Sequence, residues 1–405
     1  METGAGVRDR PPHADATTGT ALRERIRARA RALGFDTIGF ARAEAHPDEE
    51  RLRAWLDAGR HGTMGWMARD PSRRADPRAV LEEARTVISL AIGYYRGDWP
   101  AQESPAQDSP AHGLIARYAW GRDYHKVIRK RLLALAESIR DQSPRPGFLA
   151  YVDTGPVLDR AWAERSGIGW IGKNTNLIRK GAGSWFFLGE ILTDLELPSD
   201  APARNYCGTC TRCIAACPTG AIVAPYQLDA RRCVSYLTIE HKGAIPLELR
   251  PAIGARIFGC DDCQEVCPWN RFAVPTAEPA FAERAEQQTP ELIPLLALDD
   301  EGFRTRYAGT ALRRAGRNRF VRNVAVALGN VGDARAIAAL EAALREDEDP
   351  LVRGHAAWAL GRIGGDLARD ALERAAARET EPAVLSEIGY AQREVHESRD
   401  GGVPK

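Results

Sequence analysis

Apolar positions in ALRERIRARARALGF, from Ala21, recur near every third or fourth residue and stop at Gly34, which predicts an amphipathic helix. DTIGFARAE then predicts a short strand. TVISLAIGYY, from Thr86 to Tyr95, is an unbroken β-branched and apolar run and predicts a buried strand. HKVIRKRLLALAESIR, from His125, alternates faces as an amphipathic helix does. FLAYVDTG predicts an apolar strand that ends in a turn, and SWFFLGEILTDLEL, from Ser184, predicts a further strand. Helix and strand patterns mixed in this way define an α/β or α+β domain over residues 21–200.

The pattern changes twice more. Residues 201–275 are rich in cysteine and turn residues, and residues 276–302 have the Pro/Glu/Ala composition of a connector. From 303 to 395 the chain becomes helical and repetitive. VRNVAVALGNVGD begins at Val321 and VRGHAAWALGRIGGD at Val352, each followed by a second helical run, as in stacked hairpins of the HEAT type. Residues 1–20 and 396–405 have the polar composition of tails.

Composition adds little by itself. Charged residues are 27% of the 405 and the net charge is +1, so bulk charge names no partner. No run approaches 18 apolar residues, and the N-terminus lacks the apolar core of a secretory signal. A cytoplasmic protein with no membrane association is expected, and there cysteines serve as metal ligands more often than as disulfides.

The position of the cysteines changes the picture most. All eight lie between Cys207 and Cys267. Cys207, Cys210, Cys213 and Cys217, followed by Pro218, have the bacterial ferredoxin spacing, in which the fourth cysteine serves the other cluster. Cys260, Cys263 and Cys267, followed by Pro268, repeat the end of that spacing, with Cys233 as the missing member. Exchange of the last cysteine of each run gives two complete sets. One is Cys207, Cys210, Cys213 and Cys267; the other is Cys217, Cys233, Cys260 and Cys263. Two [4Fe-4S] clusters are expected. A pair of zinc sites is the competing reading, but zinc motifs rarely show this four-cysteine run. Such clusters move single electrons, so another part of the chain must use them.

Three polar segments of the first domain do not read as packing: DPSRRADPRAVLEEAR, ARYAWGRDYHKV, and YVDTGPVLDRAWAERSGIGWIGKNTNL. Together with the order of the cysteine blocks, they resemble the epoxyqueuosine reductase family. The resemblance implies an α+β fold with three parts. These are a nitroreductase-like α/β domain that binds cobalamin, a ferredoxin-like module that reduces its cobalt, and HEAT-like repeats that help hold tRNA. It implies reduction of epoxyqueuosine to queuosine in the anticodon loop, by a monomer supplied by an external low-potential electron donor. It makes Asp153 the proton donor, with partial burial expected to raise its pKa. Tyr124, His125, Leu177 and Ser235 become cobalamin-site candidates, and Arg74 and Arg160 candidates for contacts to cobalamin amides or to tRNA phosphate. A different cobalamin reductase of the reductive dehalogenase kind, or a plain electron carrier, are the alternatives.

The tRNA surface has its own signal. Arg304, Arg306, Arg313, Arg314, Arg317, Arg319 and Arg322 fall in a span with no acidic residue, and phosphate contacts dominate nucleic-acid affinity. Arg313, Arg314, Arg317, Arg319 and Arg322, with Lys242, are the candidate contacts.

Overall fold

The computed structural model describes residues 16–97, 111–140, 147–284 and 287–400. Residues 1–15 and 401–405, expected to be tail, lie outside them. Four strands form an antiparallel sheet: β1 (Thr37–Arg42), β2 (Thr86–Gly93), β3 (Phe148–Tyr151) and β4 (Phe186–Thr193), in the order β1-β2-β4-β3. The N-terminal domain is therefore α+β.

Both faces of the sheet are covered, which is why β2 reads as a continuous apolar run. On one face Ile88, Leu90 and Ile92 meet α1 (Ala16–Ala32) through Ile26 and Ala30. They also meet α2 (Tyr124–Arg140) through Ile128, Leu132 and Leu135. Gly189 of β4 lets α2 close in, since a Cβ there would lie 3.0 Å from Ile128 and Leu132. On the other face α3 (Asp159–Arg165) inserts Trp162 among Ala41, Val87 and Leu192.

The cysteine-rich region holds two single-turn helices, Arg212–Ala215 and Asp262–Glu265, one in each cysteine run. A short helix, Val234–Ile239, starts directly after Cys233. The repeat region then holds α4 (Arg317–Val331), α5 (Ile337–Glu346), α6 (Pro350–Ile363), α7 (Gly365–Ala376) and α8 (Pro382–Asp400). They do not form a separate body. One apolar core joins Ile115 and Trp120 of the first domain, Val234, Leu237 and Phe258 of the cysteine module, and the repeat helices.

Two expectations need correction. The segment 276–302 is not a bare connector: Phe281 enters the core of the first domain, and Leu292, Leu295 and Leu296 enter the core shared with the repeats. The presumed tails are also shorter than expected. Residues 16–20 belong to α1, where Gly19 packs on Pro198, and α8 continues to Asp400.

Candidate active site

Asp153 sits on a tight turn at the end of β3. Its φ is +59°, unusual for a residue with a Cβ, and Thr154 N–H donates to Val152 O at 2.5 Å across it. Such a conformation costs about 1–3 kcal/mol and persists only where surrounding contacts impose it. Here α2 supplies them. The Tyr124 hydroxyl donates to Asp153 Oδ2 at 2.6 Å, and His125 Nε2 lies 3.4 Å from the same oxygen. The other ring nitrogen, Nδ1, is 2.8 Å from Asp123 Oδ1. Tyr124 is itself fixed by stacking on Phe187, with ring centroids 4.2 Å apart.

His125 thus stands between two carboxylates. Burial works against its charged form, but Asp123 and Asp153 outweigh burial and raise its pKa. The outcome at Asp153 reverses the expectation. Enclosure by its neighbours acts upward, yet the hydrogen bonds from His125 and Tyr124 bring the carboxyl down to about 2. Its side chain is 61% exposed, so the carboxylate faces an open cleft.

The raised carboxyls lie one layer deeper. Glu190 of β4 is fully buried, opposite Ser89 of β2, with neither carboxyl oxygen hydrogen-bonded, and it lies within electrostatic reach of Asp159 at the start of α3. Burial, then the charge of Asp153, lifts Asp159 to about 7; burial and Asp159 lift Glu190 as well. Two such neighbouring carboxyls titrate together, and the first proton lost from the pair makes the second harder to remove. Sequence reasoning missed Glu190, although a lone carboxylate in the apolar run SWFFLGEIL was a usable signal.

The other candidates divide between this rim and the packing. Arg74 lies 5.0 Å over the exposed Trp66 ring and donates to Trp66 O and Gly155 O. Arg160 is exposed and donates to Thr175 O at 2.8 Å. Ser235 is half-buried in the helix that Cys233 begins. Leu177 is buried with Ala91, Ala163 and Ile168, so only its backbone is left to face a ligand.

The eight cysteines are all unpaired and half-buried. Cys207, Cys210, Cys213 and Cys267 line one pocket. Cys263 lies within electrostatic reach of Cys233 and Cys217, and Cys260 within reach of Cys263. This second set is the one beside the Asp153 cleft. Asn176 Nδ2 is 3.8 Å from Cys263 Sγ, next to the Thr175 carbonyl that receives Arg160.

The arginine run divides sharply. Arg313 and Arg314 are exposed, as is Lys242, and Arg314 approaches Asp123 at 3.9 Å. Three other candidates are already committed. Arg317 pairs with Asp347 and donates to Leu298 O. Arg319 donates to Ile239 O and Arg314 O. Arg322 is completely buried and donates to the carbonyls of Leu237, His241 and Gly243, so it is corrected from tRNA contact to structural link.

A strained acidic turn beside a double cysteine set defines an oxidoreductase of the iron–sulfur kind. Family models match in three places. These are Epoxyqueuosine reductase QueG, DUF1730 (residues 74–154), the 4Fe-4S double cluster binding domain (206–270) and HEAT repeats (308–391). Epoxyqueuosine reductase of Xanthomonas campestris is 48% identical, over 87% of this chain and 98% of that protein. The Escherichia coli K12 enzyme is 46% identical, over 83% and 88%. An epoxyqueuosine reductase solved with an epoxyqueuosine-modified tRNA-Tyr stem loop is 34% identical. It has a TM-score of 0.87 and covers 93% of this chain and 99% of that one. The Bacillus subtilis enzyme, solved with its catalytic aspartate loop swung out of the active site, is 33% identical with a TM-score of 0.86 and the same coverage. The chain belongs to the epoxyqueuosine reductase family.

Proposed function

We propose that this protein reduces the epoxide of epoxyqueuosine in a tRNA anticodon loop, yielding queuosine and water. The balance is two electrons and two protons per epoxide. Electrons pass one at a time through two [4Fe-4S] clusters, held by Cys207, Cys210, Cys213 and Cys267, and by Cys217, Cys233, Cys260 and Cys263. The observation that carries the reading is the Asp153 turn, with Tyr124 and His125 locked on to it, opening toward the second cysteine set.

The chemistry of the rim suits cobalamin, whose amides and phosphate need donors and whose faces need apolar neighbours. Arg74, Arg160 and Ser235 supply donors, and Trp66 and Tyr118, whose ring centroid lies 6.2 Å from that of Tyr124, supply rings. Bound cobalamin would supply low-potential cobalt chemistry at the epoxide carbon. Carbon–oxygen cleavage leaves an alkoxide, a poor leaving group until it is protonated. Asp153 is proposed to protonate it, and His125, 3.4 Å away, to resupply the proton. Asp123, 2.8 Å from Nδ1, orients the imidazole and favours its charged form. Substrate covering the open carboxylate removes its water and raises its proton affinity. The swung-out aspartate loop of the Bacillus subtilis enzyme fits a turn strained as Asp153 is.

The test is anaerobic reconstitution with iron, sulfide, cobalamin and an epoxyqueuosine-containing stem loop, with loss of one oxygen read by mass spectrometry. Asp153→Asn is expected to keep both clusters and tRNA affinity while turnover falls about 10²–10⁴-fold. Undiminished turnover would remove Asp153 from the chemistry.

A further inference from the structure

The two cysteine sets differ in what surrounds them. The second adjoins the Asp153 cleft, so the first, Cys207, Cys210, Cys213 and Cys267, is the outer one. Its rim has a composition that the reaction on tRNA leaves unexplained. Tyr206, next to Cys207, is 40% exposed, and Phe272, five residues after Cys267, is 40% exposed. Trp269 lines the pocket of the first set and links these rings, lying 5.9 Å from Tyr206 and 6.0 Å from Phe272 between ring centroids. Val274 beyond them is 74% exposed. A continuous apolar path therefore runs from the first cysteine set to open solvent.

Cations ring that path. Lys180 and Arg204 lie over the Tyr206 ring at 5.5 and 5.9 Å, and Arg271 over Phe272 at 4.6 Å. Arg212, between two ligand cysteines, is exposed. The segments that build the rim, residues 166–189, 201–217 and 266–277, contain no aspartate or glutamate. A chain with nearly equal numbers of acids and bases has concentrated one sign here. Aromatic anchors within a charged ring are the composition of a protein-docking surface.

We infer that this rim is the docking surface for the electron donor, and that the donor is a small acidic one-electron carrier protein presenting its redox centre within a ring of carboxylates. The inference rests on the two-cluster reading above. Each encounter oxidises the carrier by one electron and reduces the cluster at the first cysteine set by one. Two encounters supply the pair of electrons that, with two protons, turns the epoxide into an alkene and water. A positive ring steers such a carrier and sets the salt dependence of its association. An RNA face is disfavoured because the exposed basic candidates for tRNA, Arg313, Arg314 and Lys242, are on other segments, and Arg314 approaches Asp123 beside the cleft.

The test compares wild type with the triple charge reversal Lys180→Glu, Arg204→Glu and Arg271→Glu, all at exposed positions. Reduced flavodoxin serves as the acidic carrier and dithionite as a small reductant that needs no docking. At low salt, the variant is expected to lose at least tenfold in flavodoxin affinity and in the rate at which flavodoxin bleaches the cluster absorbance. Bleaching by dithionite and affinity for the tRNA stem loop should be unchanged. Unchanged flavodoxin affinity would overturn the inference, as would loss of tRNA affinity in its place. Failure of wild type itself to turn over with dithionite would instead count against the proposed reaction, while leaving the binding comparison interpretable.

Discussion

Three carboxyl groups lie close together at the end of the sheet, and their surroundings set them to different tasks. Asp153 is held low by His125 and Tyr124, whereas burial holds Asp159 and Glu190 high, helped by the charge of Asp153 at Asp159 and by that of Asp159 at Glu190. These shifts act on stability with opposite signs. The depressed Asp153 adds stability above the ordinary carboxyl range near 4, and that contribution is lost as pH falls toward 2. The raised Asp159 adds stability that is complete below about 4 and is lost as pH climbs through about 7, and the raised Glu190 loses its contribution in the same direction. Arg160, Arg74 and Asp153 also face Asp159, and together they fix where that loss occurs. Glu190→Gln leaves an amide that can donate to the Asp159 carboxylate. Thermal unfolding between pH 5 and 9 should therefore show wild type losing stability with rising pH and the variant losing clearly less. Parallel curves would mean that the pair does not titrate together.

At the scale of elements, close approaches are made at glycines. Gly39 of β1 faces the end of α3, where a Cβ would come 2.1 Å from Ser166 O. In the repeats, a Cβ on Gly361 of α6 would lie 2.7 Å from Ala391 of α8, and one on Gly329 of α4 would lie 2.8 Å from Trp358 of α6. Both glycines fall in the repeated Ala-Leu-Gly pattern, which is thus a packing signature and not a turn. Gly361→Val is expected to force α6 from α8, costing about 1–3 kcal/mol, with a lower melting temperature as the readout. Gly65→Ala serves as the control, because nothing lies within 4 Å of the added Cβ, and it should melt as wild type does.

Over the whole molecule, the cysteine module and the repeats share one core, and Arg322 fastens them together. Its guanidinium satisfies the carbonyls of Leu237, in the last turn of the helix that follows Cys233, and of His241 and Gly243 just beyond it. Arg322→Ala should lower the melting temperature by leaving those buried carbonyls unsatisfied. Arg313→Glu with Arg314→Glu should leave the melting temperature alone, weaken stem-loop binding and flatten its salt dependence. Equal effects of the two sets on tRNA binding at a temperature where both are folded would refute this division.

Chain order and local chemistry are written in the sequence itself. The alternating patterns of the strands, the helical repeats and the spacing of eight cysteines each depend on residues near one another in the chain, so they were legible there. Asp153 was marked by the family resemblance of its segment, which its place after an apolar strand fitted. Burial and pairing are set by residues far apart, and only the tertiary structure decided them. It made Asp153 a carboxylate by bringing α2 across it, and it put the high-pKa carboxyl pair between β4 and α3. It also took Arg322 out of an apparently uniform basic run, because the α4 face that carries it is the face closed against the cysteine module.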